Sequence, residues 1–159
     1  MYKRQEYSRT QNPTRHALEN SIASLENAKY GLAFSSGLSA IDAILKLFKP
    51  GDEIISTHDL YGGSYRLFNK IYKKYGLKFI FEDLKDLQKV EKLITPKTKL
   101  IWVETPTNPM INVIDIAAIS EICKENNILL GVDNTFSTPY LQRPCLLYTS
   151  DAADEVLGV

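Results

Sequence analysis

The chain has 159 residues, of which 44% are hydrophobic and 24% charged, as in an ordinary globular domain. Its 19 basic residues balance its 19 acidic ones, so the composition does not favour nucleic acid or an anionic membrane as a partner. No apolar run approaches the roughly 20 residues of a membrane span, and the first residues lack the apolar core of a signal peptide. Two cysteines, Cys123 and Cys145, are too few for a disulfide framework or a zinc site, which predicts a cytoplasmic protein without a structural metal.

Helices and strands are predicted to alternate through the first half of the chain. Hydrophobic spacing and turn residues predict a helix over 13–27, a strand over 30–34, a turn over 35–37 that leads into a helix to about 48, a strand over 53–57 and a helix from 62 to 75. Asn12 is the expected N-cap of the first helix, with Pro13 at the first helical position. Gly76 is expected to end the last of these helices.

The same alternation continues in the second half. We predict a strand over 77–81, a helix over 84–93, a strand over 100–103, a helix over 115–125 and a strand over 128–132. Asp115 is the expected cap of the last helix. Strands separated by helices imply right-handed crossovers, so the pattern predicts an α/β fold with a mostly parallel sheet.

Both ends of the chain depart from this pattern. The tail from Cys145 has no helical or strand periodicity, and it closely resembles the in-frame translation of a transposon-derived sequencing adapter. The first five residues, MYKRQ, resemble the reverse complement of the same adapter. We therefore expect 1–5 and 145–159 to be cloning or library artefacts, and 6–144 to be genuine protein cut from a longer gene. The alternative is an unusual native tail.

Two turns that follow predicted strands are suited to a phosphorylated aromatic ligand. Gly37 and Leu38 open a helix, where backbone N–H groups form a natural phosphate site. Tyr61 precedes Gly62 and Gly63, so its ring can stack on a planar ligand while the glycines let that ligand approach. Taken alone, each turn is also typical of a plain strand–helix connection.

Polar residues follow two further strands. Glu104 begins the string ETPTNP, in which two prolines make a stiff loop able to direct Asn108 at a ligand hydroxyl. Asp133 ends the last apolar strand, where α/β enzymes place catalytic groups, and a carboxylate beside a pyridine nitrogen favours the protonated ring. The alternatives are a connecting loop and a solvated aspartate that caps the next element.

Five ordered strings together resemble one family over essentially all of 6–144: YSRTQNPTRHALE, SSGLSAI, DLYGGSYR, ETPTNP and VDNTFSTPYLQRP. The family is the pyridoxal-phosphate-dependent enzymes of cysteine and methionine metabolism, the cystathionine γ-synthase, γ-lyase and β-lyase group. The resemblance implies an N-terminal arm and the first part of the large domain of a PLP-dependent transferase of fold type I. Gln11, Ser39 and Ser64 depart from residues that are common in the family.

The resemblance also implies roles for the motif residues. Gly37 and Leu38 would bind the cofactor phosphate through backbone N–H groups. Tyr61 would stack on the pyridoxal ring and assist proton transfer. Asn108 would contact the ring hydroxyl, and Asp133 would contact the ring nitrogen. Of these residues, Tyr61 and Asp133 are therefore the candidate catalytic residues.

Three more cofactor-binding residues are implied by the same resemblance. Glu104 would support the site from beneath, and Tyr7 and Arg9 would reach the phosphate of a neighbouring subunit. Arginine is a strong partner for phosphate, although a surface arginine on a flexible tail is the alternative. The parent enzyme would therefore be a homotetramer built as a dimer of dimers, acting on a small amino-acid substrate.

The implied function is formation or cleavage of a carbon–sulfur bond in cystathionine or a related amino acid, of the γ-synthase or γ-lyase type. A cystathionine β-lyase or a methionine γ-lyase is the alternative within the family. The lysine that holds the cofactor would follow residue 144, yet 134–159 contain no lysine, so we expect this chain to be inactive. The alternatives from other classes are a phosphate-binding α/β domain, which would need a Gly-rich fingerprint, and a non-catalytic scaffold.

Overall fold

The computed structural model describes residues 7–148 and 157–158. Its helices are α1 (Pro13–Glu26), α2 (Gly37–Leu45), α3 (Gly62–Arg66), α4 (Leu87–Leu93), α5 (Ile116–Asn126), α6 (Thr138–Leu141) and α7 (Pro144–Tyr148). Its strands are β1 (Glu53–Thr57), β2 (Lys78–Glu82), β3 (Thr98–Glu104), β4 (Leu129–Asp133) and β5 (Leu157–Gly158). A π-helical turn (Leu67–Ile71) and a 3₁₀ turn (Tyr72–Tyr75) extend α3. Within the described part of the chain, no helix is both long and apolar enough for a membrane crossing.

The strands form one sheet in the order β2-β1-β3-β4-β5. Every neighbouring pair is parallel. The consecutive strands are joined through helices, because parallel strands need long crossover connections. The predicted α/β fold with a mostly parallel sheet is therefore confirmed.

Side chains alternate between the two faces of the sheet, because successive residues of a strand point in opposite directions. Ile54 and Trp102 pack on one face in a cluster that includes residues of α2 and Phe68. Ile55 and Ile101 pack on the other face in a cluster that includes residues of α4 and α5. Helices thus cover both faces of the sheet. The ends of the strands are not covered by these helices.

The boundaries predicted at Asn12, Asp115 and Gly76 are confirmed, whereas the helix predicted over 84–93 begins at Leu87 and the one predicted to about 48 ends at Leu45. The Asn12 side chain accepts hydrogen bonds from the N–H groups of Thr14 and Arg15 at the start of α1. The Asp115 side chain accepts one from Ala118 at the start of α5. Gly76 ends the 3₁₀ turn with a φ of 89°, a conformation that glycine adopts without strain.

The predicted strand over 30–34 is wrong. This segment lies outside the sheet, and Tyr30 and Leu32 are 70% and 77% exposed. It is held instead by α1, where the Glu19 carboxylate accepts a hydrogen bond of 3.0 Å from the N–H of Ala33. Gly31 allows this approach, since a Cβ there would lie 2.3 Å from the Glu19 carbonyl oxygen.

The C-terminal end also differs in part from expectation. At the N-terminal end, Tyr7 begins a turn in which its carbonyl oxygen accepts a 2.8 Å hydrogen bond from Thr10 N–H. Residues 144–148 form α7 despite the lack of helical periodicity, and Cys145 in this helix is buried. The proposed artefact 1–5 and most of 149–159 lie outside the described residues, so their origin stays a prediction.

Candidate functional site

The carboxyl ends of three neighbouring parallel strands meet at one edge of the sheet. Glu104 and Asp133 end β3 and β4 and lie side by side in the strand register. Together with the segment after β1 and the start of α2, they border a cavity of about 410 Å³. The sequence-predicted residues that line it are Gly37, Leu38, Tyr61, Glu104, Asn108 and Asp133.

The start of α2 presents backbone donors to this cavity. Ser36 is the N-cap, and its hydroxyl accepts a hydrogen bond of 3.2 Å from the N–H of Ser39. The Ser39 hydroxyl accepts one of 3.0 Å from the N–H of Ser36, which completes a capping box. Gly37 and Leu38 are therefore the first helical residues, and their N–H groups have no acceptor within a helix.

The ring of Tyr61 is placed by Gly63. A Cβ on Gly63 would lie 2.3 Å from Cε1 of Tyr61, so only glycine lets this ring pack against the start of α3. The ring is half exposed and lines the cavity. The predicted reason for the glycines is thus corrected, because Gly63 makes room for Tyr61, and neither it nor Gly62 lines the cavity.

Glu104 joins two loops of the site. Its Oε1 accepts hydrogen bonds from the N–H of Tyr61 at 3.0 Å and from the N–H of Asn108 at 2.9 Å, and its Oε2 accepts from Tyr61 at 2.8 Å. Burial is the largest cause that raises the pKa of Glu104 to about 7; the Tyr61 N–H lowers this pKa, and the negative charges of Asp133 and Asp59 add to the rise. Because this pKa is near neutral, the hydrogen bonds that Glu104 accepts from Tyr61 and Asn108 depend on pH.

Asp133 is buried and has one oxygen already engaged. Its Oδ1 accepts hydrogen bonds from the N–H of Thr135 at 3.1 Å and from the Thr135 hydroxyl at 2.6 Å. Among the described residues no hydrogen bond reaches its Oδ2. The carboxylate is therefore both a cap for the segment after β4 and a lining residue of the cavity with a free acceptor oxygen.

A side-chain network ties the segment after β4 to the loop after β3. Asn134 donates a hydrogen bond of 2.8 Å to the carbonyl oxygen of Gln142, and the Gln142 amide donates back to the Asn134 side chain at 2.8 Å. The same amide donates to the carbonyl oxygen of Thr105 at 3.1 Å. The two loops that carry Asn108 and Asp133 are thus fixed to each other.

Tyr7 and Arg9 are not brought to the cavity. Both are exposed, and neither is among the residues that line it. The Arg9 guanidinium lies over the ring of Tyr7, 5.1 Å from its centroid, so the two side chains contact each other. Their predicted role depends on a neighbouring subunit and stays a prediction.

Six lining residues were not predicted as site residues from the sequence: Ser36, Ile41, Ser64, Pro106, Thr135 and Phe136. Ser36 is signalled by its place before Gly37, as an N-cap. Thr135 is signalled by its place two residues after an aspartate, where side-chain-to-backbone turns are common. Nothing in the sequence signals Ser64, whose buried hydroxyl has no hydrogen-bond partner. Within the described ranges no cluster of three or more His, Cys, Asp or Glu side chains is arranged to hold a metal ion.

Comparison with known proteins identifies the relatives of this chain. The family model for Cys/Met metabolism PLP-dependent enzymes matches 2–153. A cystathionine gamma-synthase/O-acetylhomoserine (thiol)-lyase of Bacillus subtilis is 56% identical over 139 residues, which is 87% of this chain and 37% of that protein. A cystathionine beta-lyase of Coxiella burnetii is 51% identical over 140 residues, 87% of this chain and 36% of that protein.

A solved structure supports the same assignment. The cystathionine gamma-lyase of Lactobacillus plantarum, complexed with L-serine, superimposes with a TM-score of 0.88 at 47% identity, over 92% of this chain and 39% of that one. The expected fold, part of the large domain of a PLP-dependent transferase of fold type I, is therefore confirmed. The chain spans less than half the length of these relatives. By sequence and by fold, it belongs to the family of Cys/Met metabolism PLP-dependent enzymes.

Proposed function

We propose that this chain forms part of the pyridoxal 5′-phosphate site of a trans-sulfuration enzyme. The observation that carries the proposal is that donors for a phosphate, an aromatic ring and a strand-end carboxylate line one cavity. In it, the N–H groups of Gly37 and Leu38 would bind the phosphate, and the Tyr61 ring would stack on the pyridine ring.

The groups in the cavity fit this cofactor. Ser64 has a buried hydroxyl without a partner, which is costly unless a ligand engages it. Asp133 has an acceptor oxygen that no described residue engages, and an acceptor is what a protonated ring nitrogen requires. The amide of Asn108 is available for the ring hydroxyl, and Glu104 fixes the backbone of Asn108 and Tyr61 from the strand end.

The chemistry that bound pyridoxal phosphate supplies is an electron-withdrawing ring that stabilises negative charge on the α-carbon of an amino acid. Asp133 would hold a proton at the ring nitrogen, because a carboxylate there favours the cationic ring. Tyr61 would exclude water from one face of the ring and is the candidate for moving a proton near the substrate. Tyr61 and Asp133 are therefore the proposed catalytic residues.

The substrate class follows from the relatives. Their names cover cystathionine γ-synthase, γ-lyase and β-lyase activities, so we propose a sulfur amino acid such as cystathionine. The reaction would form or cleave a carbon–sulfur bond, with γ-chemistry preferred and β-lyase or methionine γ-lyase chemistry as the alternative. A cytoplasmic location is part of the proposal, supported by low cysteine usage.

A lysine amine holds pyridoxal phosphate covalently in such enzymes, and 134–159 contain no lysine. The cavity residues named above would therefore bind the cofactor through hydrogen bonds and ring stacking. In the parent enzyme, Tyr7 and Arg9 would complete a neighbouring subunit's phosphate site within a homotetramer. That assembly is supported by α1, on which Leu18, Ile22 and Leu25 are exposed.

Pyridoxamine 5′-phosphate is the sharpest probe of this proposal, because it lacks the aldehyde that would react with surface lysines. We expect fluorescence titration to detect reversible binding that Asp133→Asn weakens by roughly tenfold, a difference within reach of one charge-assisted hydrogen bond. Asp83→Asn, a strand-end aspartate of β2 outside the cavity lining, is the matched control. Equal affinity in all three proteins, or no binding at all, would refute the proposal.

A further inference from the structure

Asp59 is a strand-end carboxylate that lies outside the cavity lining but reaches into the loop after β3. Its Oδ2 accepts three hydrogen bonds from that loop. The donors are the hydroxyl of Thr107, the N–H of Met110 at 3.2 Å and the side-chain amide of Asn112 at 3.2 Å. One carboxylate oxygen thus holds donors that lie on both sides of Asn108 in the sequence.

The loop held by Asp59 is also closed on itself. The N–H of Thr107 donates to the carbonyl oxygen of Asn112 at 3.0 Å, and the N–H of Asn112 donates to the Thr107 hydroxyl oxygen at 2.8 Å. Lys85 donates to the Asn112 side-chain oxygen at 3.1 Å, which leaves the amide nitrogen of Asn112 directed at Asp59. The segment 107–112 is therefore a defined unit, and Asp59 anchors it to the end of β1.

Asp59 and Glu104 form a reciprocal pair of links between two loops. Glu104 reaches from the end of β3 to the N–H of Tyr61, and Asp59 reaches from the segment before Tyr61 to the loop after β3. The backbone of Asn108 is held on one side by Glu104 and on the other through Met110 by Asp59. The position of the Asn108 side chain in the cavity depends on both carboxylates.

We propose that Asp59 is a positioning residue that fixes the 107–112 loop so that the Asn108 amide is held toward the hydroxyl of a 3-hydroxypyridine ligand. The inference rests on the proposed cofactor site and assigns the selectivity for the ring hydroxyl to a residue that does not touch the ligand. Asp59 acts through Asn108, so the effects of removing the two side chains are not additive.

The test compares pyridoxamine 5′-phosphate with its 3-deoxy analogue, which lacks the ring hydroxyl. Affinities of both ligands are measured for the wild-type chain, Asp59→Ala, Asn108→Ala and the double variant. We expect the wild type to prefer the hydroxylated ligand by roughly tenfold, the ratio that one good hydrogen bond supports. Each variant should lose this preference, and the double variant should be no worse than Asn108→Ala.

Asp59→Asn and Asp52→Ala keep the test falsifiable if Asp59→Ala folds poorly. Asn retains an acceptor oxygen without the charge, so Asp59→Asn should keep part of the preference. Asp52 lies at the opposite end of β1 and accepts a hydrogen bond of 2.9 Å from the N–H of Lys49, so Asp52→Ala should keep all of it. A ligand-free measurement, amide hydrogen exchange at Met110, should become faster in Asp59→Ala and stay unchanged in Asp52→Ala.

The outcomes separate this inference from the proposed function. If Asn108→Ala loses the preference and Asp59→Ala keeps it, the positioning role is wrong and the cofactor site stands. If the wild type binds neither ligand, the cofactor site is refuted, and the selectivity role of Asp59 is refuted with it. Unchanged exchange at Met110 in Asp59→Ala would overturn the anchoring role whether or not a ligand binds.

Discussion

Gly131 of β4 lies directly opposite Trp102 of β3, and the indole occupies the space that a side chain at position 131 would need. A Cβ on Gly131 would lie 2.8 Å from Cε3 and 3.0 Å from Cζ3 of the fully buried Trp102. We predict that Gly131→Ala lowers the free energy of unfolding by about 1–3 kcal/mol, the usual cost of overpacking a core. Urea unfolding of the two proteins measures the difference.

Gly62→Ala is the control for this substitution. A Cβ on Gly62 would meet only the end of the Arg66 side chain, at 3.3 Å, and that side chain can move. We expect its unfolding midpoint to stay close to that of the wild type. If Gly131→Ala were as stable as Gly62→Ala, the tight contact with Trp102 would not limit this position.

The raised pKa of Glu104 predicts how stability depends on pH. A carboxyl whose pKa is about 7 in the folded state, above its ordinary value of 4.5, binds a proton more tightly in the folded than in the unfolded chain. Its contribution to stability therefore falls as pH rises from about 4.5 to about 7. Glu104→Gln retains an acceptor for Tyr61 and Asn108 but does not titrate. The loss of stability that Glu104 causes between these pH values should therefore be absent in the variant.

Urea unfolding at a series of pH values measures the effect, and the difference between wild type and Glu104→Gln isolates it from other carboxyl groups. The free energy of unfolding of Glu104→Gln, relative to that of the wild type, should increase as pH rises toward 7. A difference that is constant over this range would show that Glu104 does not titrate there.

The buried hydroxyl of Ser64 predicts opposite effects with and without ligand. Because this hydroxyl has no partner in the ligand-free chain, Ser64→Ala should leave the free energy of unfolding unchanged or raise it by up to about 1 kcal/mol. If the hydroxyl contacts the phosphate, the same change should reduce the stabilisation that pyridoxamine 5′-phosphate confers. Thermal unfolding with and without the ligand measures both effects.

Ser120→Ala is a matched control for that prediction. Ser120 lies in α5, is fully buried and also has a hydroxyl without a partner, but it does not line the cavity. Its removal should resemble Ser64→Ala in the ligand-free chain and leave the ligand-induced stabilisation intact. Equal loss of that stabilisation in both variants would mean that Ser64 does not contact the ligand.

Local signals explain which parts of the fold were predictable. Asn12 and Asp115 are side-chain caps that need no distant partner, and both mark helix starts correctly. The segment 30–34 is apolar enough for a strand, but a strand also needs a neighbour with free backbone groups, which periodicity does not reveal. The π-helical turn Leu67–Ile71 has no sequence signature either, because its apolar residues keep an ordinary helical spacing.

The candidate site was predictable where topology brings strand ends together. Asp133 and Glu104 close neighbouring parallel strands, so their meeting follows from the order of helices and strands. The links made by Asp59 and the burial of Ser64 depend on how two loops fold against each other. Residue types alone do not encode those contacts, and Tyr7 and Arg9 involve a subunit that a single chain does not contain.

The N-cap of α1 gives a prediction about local stability. Asn12 accepts hydrogen bonds at 2.9 Å and 3.2 Å from Thr14 and Arg15, and α1 has no buried residue, so this helix should open independently of the core. We expect Asn12→Ala to destabilise α1 by about 1 kcal/mol, seen as faster amide exchange along 14–26 with an unchanged global unfolding midpoint. Asn20→Ala, within the same helix, should not speed exchange. If Asn12→Ala instead lowered the global midpoint, α1 would unfold together with the sheet.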